Sequence, residues 1–285
     1  MNPTLRMMLL FGLVVSLPVV AQSQATATSS SVLPAIVDLA GRLSTSLDNA
    51  GKKRVVVLDL RGPQKEIHPL GTWLADQLSS ALKSNADGLE VVDRSEIKDR
   101  AEPDENSPGP GTPGRKLVEI GRSIGADAVI TGSFAKISQR LGITLLTTNL
   151  SRSGLLLPSI RGAVPISDDM NGLSPDPIPS FKEDILRAGI GGITTPVCVR
   201  CPQPEYSDKA RRAKYQGMMV LDVVVTAEGR VEKPIVVRGP GLGLEENAIR
   251  AVKGWRLKPA EDLDSKPVAV RVPIEVSFHL YKGHP

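Results

Sequence analysis

Pro267-Val268-Ala269-Val270-Arg271-Val272-Pro273-Ile274-Glu275-Val276-Ser277-Phe278-His279-Leu280 is the stretch that decides the fold. Every even position from Val268 to Leu280 is apolar, and the odd positions after Ala269 are Arg, Pro, Glu, Ser and His. Successive side chains of a strand turn to opposite faces, so the pattern predicts one long half-buried strand with a clean inner face. Each large apolar side chain it fully buries stabilises the fold by about 1.5–3 kcal/mol as an upper figure. Pro273 lies on the non-core face. A proline cannot donate to a ladder, which predicts a strand at a sheet edge. If its nitrogen faces outward, an incoming strand must do without one hydrogen bond there. If it faces inward, the open edge is intact and one internal bond is missing. A long edge strand is either a liability or a docking site.

The residues before this strand supply the rest of a small domain over 198–285. Ser207 caps a short basic helix, Asp208 to Lys214. Met218 to Thr226 reads as a strand with Met219, Leu221, Val223 and Val225 on one face. Thr226-Ala227-Glu228-Gly229 is a hairpin turn, and Val231, Ile235 and Val237 are expected to point inward from the following strand. Gly239-Pro240-Gly241-Leu242-Gly243 leads into a helix carrying Leu244, Ala248, Val252 and Trp255 on one face. The expected architecture is α+β, an antiparallel sheet backed by two helices.

This pattern resembles the TonB C-terminal domain over about 200–281. The matching pieces are Pro204-Glu205-Tyr206, Gly217 with Val220-Leu221, Gly229-Arg230-Val231 and Gly243-Leu244-Glu245-Glu246. Further on come Ala248-Ile249, Ala251-Val252, Trp255-Arg256-Leu257-Lys258-Pro259-Ala260 and Pro267-Val268 with the alternating last strand. The resemblance implies a periplasmic domain whose last strand accepts a segment of an outer-membrane receptor along its edge. The residues so implied are Val268, Ala269, Val270, Arg271, Val272, Pro273, Ile274, Glu275, Val276, Ser277 and Phe278. Two departures stand out. Tyr206 is followed by Ser207, where the family often has proline. Neither an uncleaved anchor nor a long Pro/Lys-rich spacer is visible, which sets energy transduction apart from the binding fold.

Upstream, residues 163–197 form a joint: Pro165, Pro175, Pro177 and Pro179 among polar residues, then Gly189, Gly191 and Gly192. Phe181 to Leu186 is expected to make a helical turn. Residues 33–162 alternate helix and strand. Helices are expected from Leu33 to about Asn49, Leu70 to Ser84 and Arg115 to Ile124. Strands are expected at Arg54–Leu60, Leu89–Asp93 and Asp127–Phe134, with Ser95 capping a short helical turn. A closing hairpin follows at Gly142–Asn149 and Gly154–Ile160. Residues 101–114 are a Pro/Gly surface loop. Strand, helix, strand, helix, strand predicts a βαβ-type α/β domain. Val55-Val56-Val57-Leu58-Asp59-Leu60, Val91-Val92-Asp93-Arg94 and Gly125-Ala126-Asp127-Ala128-Val129-Ile130-Thr131-Gly132-Ser133 resemble the α/β domains of TolB, curli-secretion and FlgO-like envelope proteins. That resemblance implies an assembly or interaction domain.

Residues 1–21 read as an export signal: Arg6, an apolar run from Met7 to Val20, then Val19-Val20-Ala21 at the cleavage position. The run is shorter than the roughly 20 apolar residues of a membrane span. Residues 22–32 are expected to be disordered. The 285-residue chain is long enough for two domains. Its basic excess lies in 196–285, where 15 Lys and Arg face 11 Asp and Glu. That excess is modest and aromatics make up 3 % of the chain, against nucleic-acid binding.

Cys198 and Cys201 are the only cysteines, and an exported pair is expected to be oxidised. A thioredoxin-like site would place them at a helix start, and a zinc site would need two more ligands that His68, His279 and His284 do not supply by spacing. Gly239-x-Gly241-x-Gly243 lacks the third glycine of a dinucleotide fingerprint and reads as a turn. Asp59 and Asp93 end neighbouring strands and read as strand-end caps. Arg211, Arg212 and Lys214 read as a solvated face, or one attracted to an acidic partner or lipid headgroups. The expected function is a non-enzymatic, exported envelope protein without cofactor or metal. Its last strand binds an extended peptide or outer-membrane protein, with a connection to TonB-dependent transport. A membrane-anchored energy transducer and a structural scaffold that homodimerises are the rival expectations, and direct membrane contact is expected only if the N-terminal segment is retained.

Overall fold

The computed structural model describes residues 32–85, 88–97, 115–150, 155–181 and 185–279. The expected signal segment, the 101–114 loop and Leu280 lie outside these residues, as does all but Val32 of the stretch 22–32.

The first domain is an α/β sheet covered on both faces. Helix α1 (Val32–Asn49) buries Val32, Ile36, Leu39, Ala40, Leu43 and Leu47, the three-and-four spacing of one helical stripe. Strand β1 (Arg54–Val57) buries all three valines. Helix α2 (Pro69–Asn85) buries the Leu70, Leu74, Leu78, Leu82 stripe. Strand β2 (Glu90–Val91) is shorter than the expected Leu89–Asp93. Helix α3 (Arg115–Ser123) precedes two ten-residue strands, β3 (Ala128–Ile137) and β4 (Arg140–Asn149). Short β5 (Leu155–Leu156) and β6 (Ile160–Pro165) both pair with β4. The order is β2-β1-β3-β4-β5. β1 runs parallel to β2 and β3, and β3–β4 is antiparallel. Alternation assigns the faces. Val55, Val57, Ala128 and Ile130 pack with α1 and α2, while Val56 and Val129 join Ile120 and Leu150 on the other face.

A short helix α4 (Asp168–Asn171), capped by Ser167, follows. The helical turn expected over Phe181–Leu186 falls partly on residues 182–184, outside the described residues. Its last residue, Leu186, stands in a two-residue strand instead, β7 (Leu186–Arg187).

The second domain is α+β. β8 (Val197–Arg200) precedes helix α5 (Asp208–Arg212), whose N-cap Ser207 accepts from the Ala210 N–H at 3.0 Å. β9 (Gly217–Val225) and β10 (Val231–Arg238) form the hairpin, and α6 (Leu244–Lys253) follows. β11 (Arg256–Lys258), β12 (Ala260–Glu261), β13 (Pro267–Val268) and β14 (Val270–Phe278) complete the chain. The main sheet has the order β10-β9-β14-β7. Met219, Leu221, Val223, Val225, Val270, Val276 and Phe278 meet Ala210 of α5 and Leu244, Ala248 and Val252 of α6 in one core.

The stretch from Pro267 is two strands, because Asp262 accepts from the Asp264 and Lys266 N–H groups and folds β13 back onto β12. Ala269 is the break between them. In β10 Val231 is buried, but Ile235 and Val237 are 55 % and 64 % exposed. Lys233 takes φ 45°, and the register with β9 shifts between Glu232 and Ile235 and again between Val236 and Arg238. Each shift breaks the strand alternation that would have turned both residues inward.

Residues 179–181 and 185–194 tie the two domains together. Lys136 N–H donates to Pro179 O at 2.8 Å, and Gly192 N–H to the Thr144 hydroxyl at 2.8 Å. Ala188 and Ile193 enter the second core. Gly142 and Gly191 touch so closely that a Cβ on Gly142 would lie 2.0 Å from Gly191 O. Arg140 adds an ion pair to Asp264 at 2.7 Å. That hydrogen bond holds the Asp264 carboxyl below its ordinary range and raises Arg140.

Candidate functional site: the edge of the last strand

β14 pairs with β9 at nine consecutive positions, Val270↔Val225 through Phe278↔Gly217, without a register shift. Its inner face buries Val270, Val272, Val276 and Phe278, with Ile274 half-buried. Phe278 meets Tyr206 edge-on, with ring centroids 5.6 Å apart. Arg271 is held on the outer face by Asp222 at 3.2 Å.

Backbone direction along this strand follows from two hydrogen bonds. A strand residue aims its N–H and C=O to the same side, and the next residue aims both to the other. Ala188 N–H donates to Arg271 O, so Arg271 faces β7, away from β9. Pro273, Glu275 and Ser277 therefore face the same way. Independently, Thr226 N–H donates to Arg230 O, so even positions of β9 face β10 and odd ones face β14. Val223, Leu221 and Met219 are the partners of Val272, Ile274 and Val276, which agrees. The Pro273 nitrogen thus points outward, and the internal ladder loses nothing to it.

The outward edge is divided. β7 pairs in parallel with Val270 and Arg271. Beyond Arg271 no described strand pairs with it. The groups aimed outward there are Pro273 C=O and the N–H and C=O of Glu275 and Ser277. Of the residues expected at the edge, Val268 belongs to the β12–β13 hairpin, Ala269 is the break, and Val270 and Arg271 lie beside β7. Val272, Pro273, Ile274, Glu275, Val276, Ser277 and Phe278 line the unpaired portion. β7 itself was not foreseen, since two residues carry no period.

The other sequence candidates resolve as follows. Cys198 and Cys201 form a disulfide. Asp59 pairs with Arg94, which also reaches Asp76 at 2.6 Å and donates to Val57 O at 2.7 Å. Arg94 sits 35 residues beyond Asp59, and no local spacing joins the two in the sequence. Asp93, rather than Ser95, caps the short turn Arg94–Glu96 by accepting from Ser95 N–H. Gly241 and Gly243 have φ near 75° and make the turn into α6. Arg211, Arg212 and Lys214 are exposed. Among the described residues no group of three or more His, Cys, Asp or Glu is placed to hold a metal ion. Nor is any described helix long and apolar enough to cross a membrane.

No curated protein matches the chain. Among solved structures, the LpoB C-terminal domain from Salmonella enterica is 16 % identical over 48 % of this chain and 98 % of its own, with a TM-score of 0.34. The corresponding Escherichia coli domain is 15 % identical over 48 % and 97 %, also at 0.34. The Pseudomonas aeruginosa TonB C-terminal domain is 20 % identical over 36 % of this chain and all of its own, at 0.27. Residues 202–280 match the family described as the Gram-negative bacterial TonB protein C-terminal, so the second domain of this chain is a TonB-like domain.

Proposed function

We propose that this is a non-enzymatic protein of the cell envelope whose TonB-like domain takes up an extended segment of an outer-membrane protein along β14. The observation that carries this is the unpaired edge from Val272 to Phe278 on a strand of unbroken register. Main-chain bonds to Pro273, Glu275 and Ser277 supply affinity. Side chains alternating above and below the sheet supply selectivity. An added strand would cover the half-buried Ile274 on the inner face and lie beside Glu275 on the outer one. The first domain, fastened through residues 185–194, serves as a partner-binding or assembly module.

The test is capture of outer-membrane proteins from envelope extract by the wild-type chain and by Glu275→Pro/Ser277→Pro. Both substitutions remove outward donors only. Arg271 is left alone because it holds Asp222 and β7. The wild type is expected to retain an outer-membrane protein that the double variant loses. Equal capture by both sinks the docking role. A dimer in sizing runs that the double variant abolishes would favour self-pairing of β14 instead.

A further inference from the structure

Cys198 and Cys201 enclose two residues, Val199 and Arg200, and the disulfide holds them in a short loop on the β8–β11 ribbon. Val199 is 72 % exposed and Val197 58 %. Arg200 stands directly opposite Arg256 across the ribbon, and Arg256 bridges on its other side to Arg230. Residues directly opposite one another share a face. Three exposed arginines therefore form a row across three neighbouring segments. At the usual strand separation the row is about 10 Å long.

Like charges set directly opposite destabilise a sheet. Among the described residues none of the three makes an ion pair, and the Arg256 guanidinium donates only to the Trp255 carbonyl at 2.9 Å. Glu228 lies two residues before Arg230 in the hairpin turn, and its carboxylate is held below its ordinary range mainly by the Thr226 hydroxyl and backbone, with Arg230 a smaller cause. Glu261 is taken by Lys258, a further cation of the ribbon. Neither β8 nor β11 contains a carboxylate.

We infer that this disulfide-stapled ribbon is a contact surface for an anionic lipid bilayer. A row of guanidinium groups matches an array of lipid phosphates. The exposed Val197 and Val199 beside it fit the boundary between headgroups and acyl chains. An acidic protein segment could neutralise the arginines but gives no account of the two valines. The surface lies on the β8–β11 ribbon rather than along the β14 edge and does not rest on the docking proposal. It would set the TonB-like domain against a membrane.

The test is vesicle co-sedimentation of the chain beginning at Gln22, which keeps every described residue. Vesicles of phosphatidylcholine with phosphatidylglycerol are compared with phosphatidylcholine alone at low salt. Binding is expected on the anionic vesicles and is expected to fall as salt screens the charges. At roughly five-fold per arginine, Arg200→Gln/Arg230→Gln/Arg256→Gln lowers partitioning about 100-fold. Val197→Ser/Val199→Ser and reduction of the disulfide each lower it several-fold. The triple lysine variant keeps most of the binding. Circular dichroism confirms folding, which exposed substitutions leave intact. Equal binding to neutral vesicles, or an unchanged triple glutamine variant, overturns the inference. So does retention on an immobilised acidic peptide with none on anionic vesicles, which assigns the ribbon to a protein partner.

Discussion

Proline scanning of β14 tests its backbone directions without any partner. Ile274 aims its N–H at β9, opposite Leu221. Ile274→Pro deletes that ladder bond, worth about 0.5–1.5 kcal/mol, and orphans a buried acceptor at about 1–3 kcal/mol. The expected loss is about 2–4 kcal/mol. Glu275 aims its N–H outward beyond the last residue that β7 covers. Glu275→Pro removes no bond of the isolated protein, and the neighbouring Pro273 shows that the strand accepts a ring. Its expected cost is under about 1 kcal/mol, from adjusting φ alone. Urea unfolding of both variants, followed in the TonB-like domain by Trp255 fluorescence, gives the comparison. Amide exchange on the wild type gives a second measure: Ile274 and Val276 should be protected, and Glu275 and Ser277 should exchange early. Equal destabilisation by the two prolines, or protection of Glu275, would refute the assignment of directions and with it the open edge.

Phe278→Ala should cost about 3–5 kcal/mol in thermal or urea unfolding, since Phe278 is 1 % exposed in the core; a loss below about 1 kcal/mol would remove the strand's end from that core. Gly142→Ala should cost about 1–3 kcal/mol by forcing Gly191 away, and amide exchange should rise at Gly191 and Gly192 while the α1–α2 core stays protected. The Arg140–Asp264 pair sets a pH dependence. Because the folded-state Asp264 pKa is depressed, its contribution is full above the unfolded carboxylate value, about 3.9, and fades as pH falls through the lower folded value. The stability gap between wild type and Asp264→Asn should therefore persist from pH 7 to pH 5 and close below pH 4; a gap independent of pH would mean the ion pair contributes nothing.

What was legible in the sequence is what local periodicity records. The even-position core of β14, the leucine stripe of α2 and the triple valine of β1 each repeat within a few residues. Features set by chain returning on itself were not legible. The split at Ala269 depends on the Asp262 side chain capturing two amides, and the outward turn of Ile235 on a positive φ at Lys233. Arg94 finds Asp59 and Asp76 only once α2 and β2 lie side by side, and Arg200 meets Arg256 only across a ribbon closed by 55 intervening residues. For the candidate site, composition fixed the strand and its proline. The direction of the Pro273 nitrogen required one long-range bond, from Ala188 N–H to Arg271 O.

The two margins of the TonB-like sheet argue against each other in a useful way. β10 carries the larger exposed aliphatic surface, with Ile235, Val236 and Val237 all open to solvent. On apolar area alone it would be the better docking edge. Yet it holds two register shifts, Pro234 and a positive φ at Lys233, the devices that prevent a further strand from pairing. β14 has none of these beyond Pro273, and its polar outer face is bounded at one end by β7. Strand addition relies on main-chain donors and acceptors; β14 keeps its register and lacks only the donor at Pro273, where an added strand must do without one bond, so under the docking proposal it is better suited to a partner than the twice-shifted β10. On that proposal the position of β7 limits where an added strand can begin. A segment that stops short of Arg271 binds without disturbing the joint, whereas one that reaches Val270 must displace Leu186 and Arg187 and loosen the tie between the two domains.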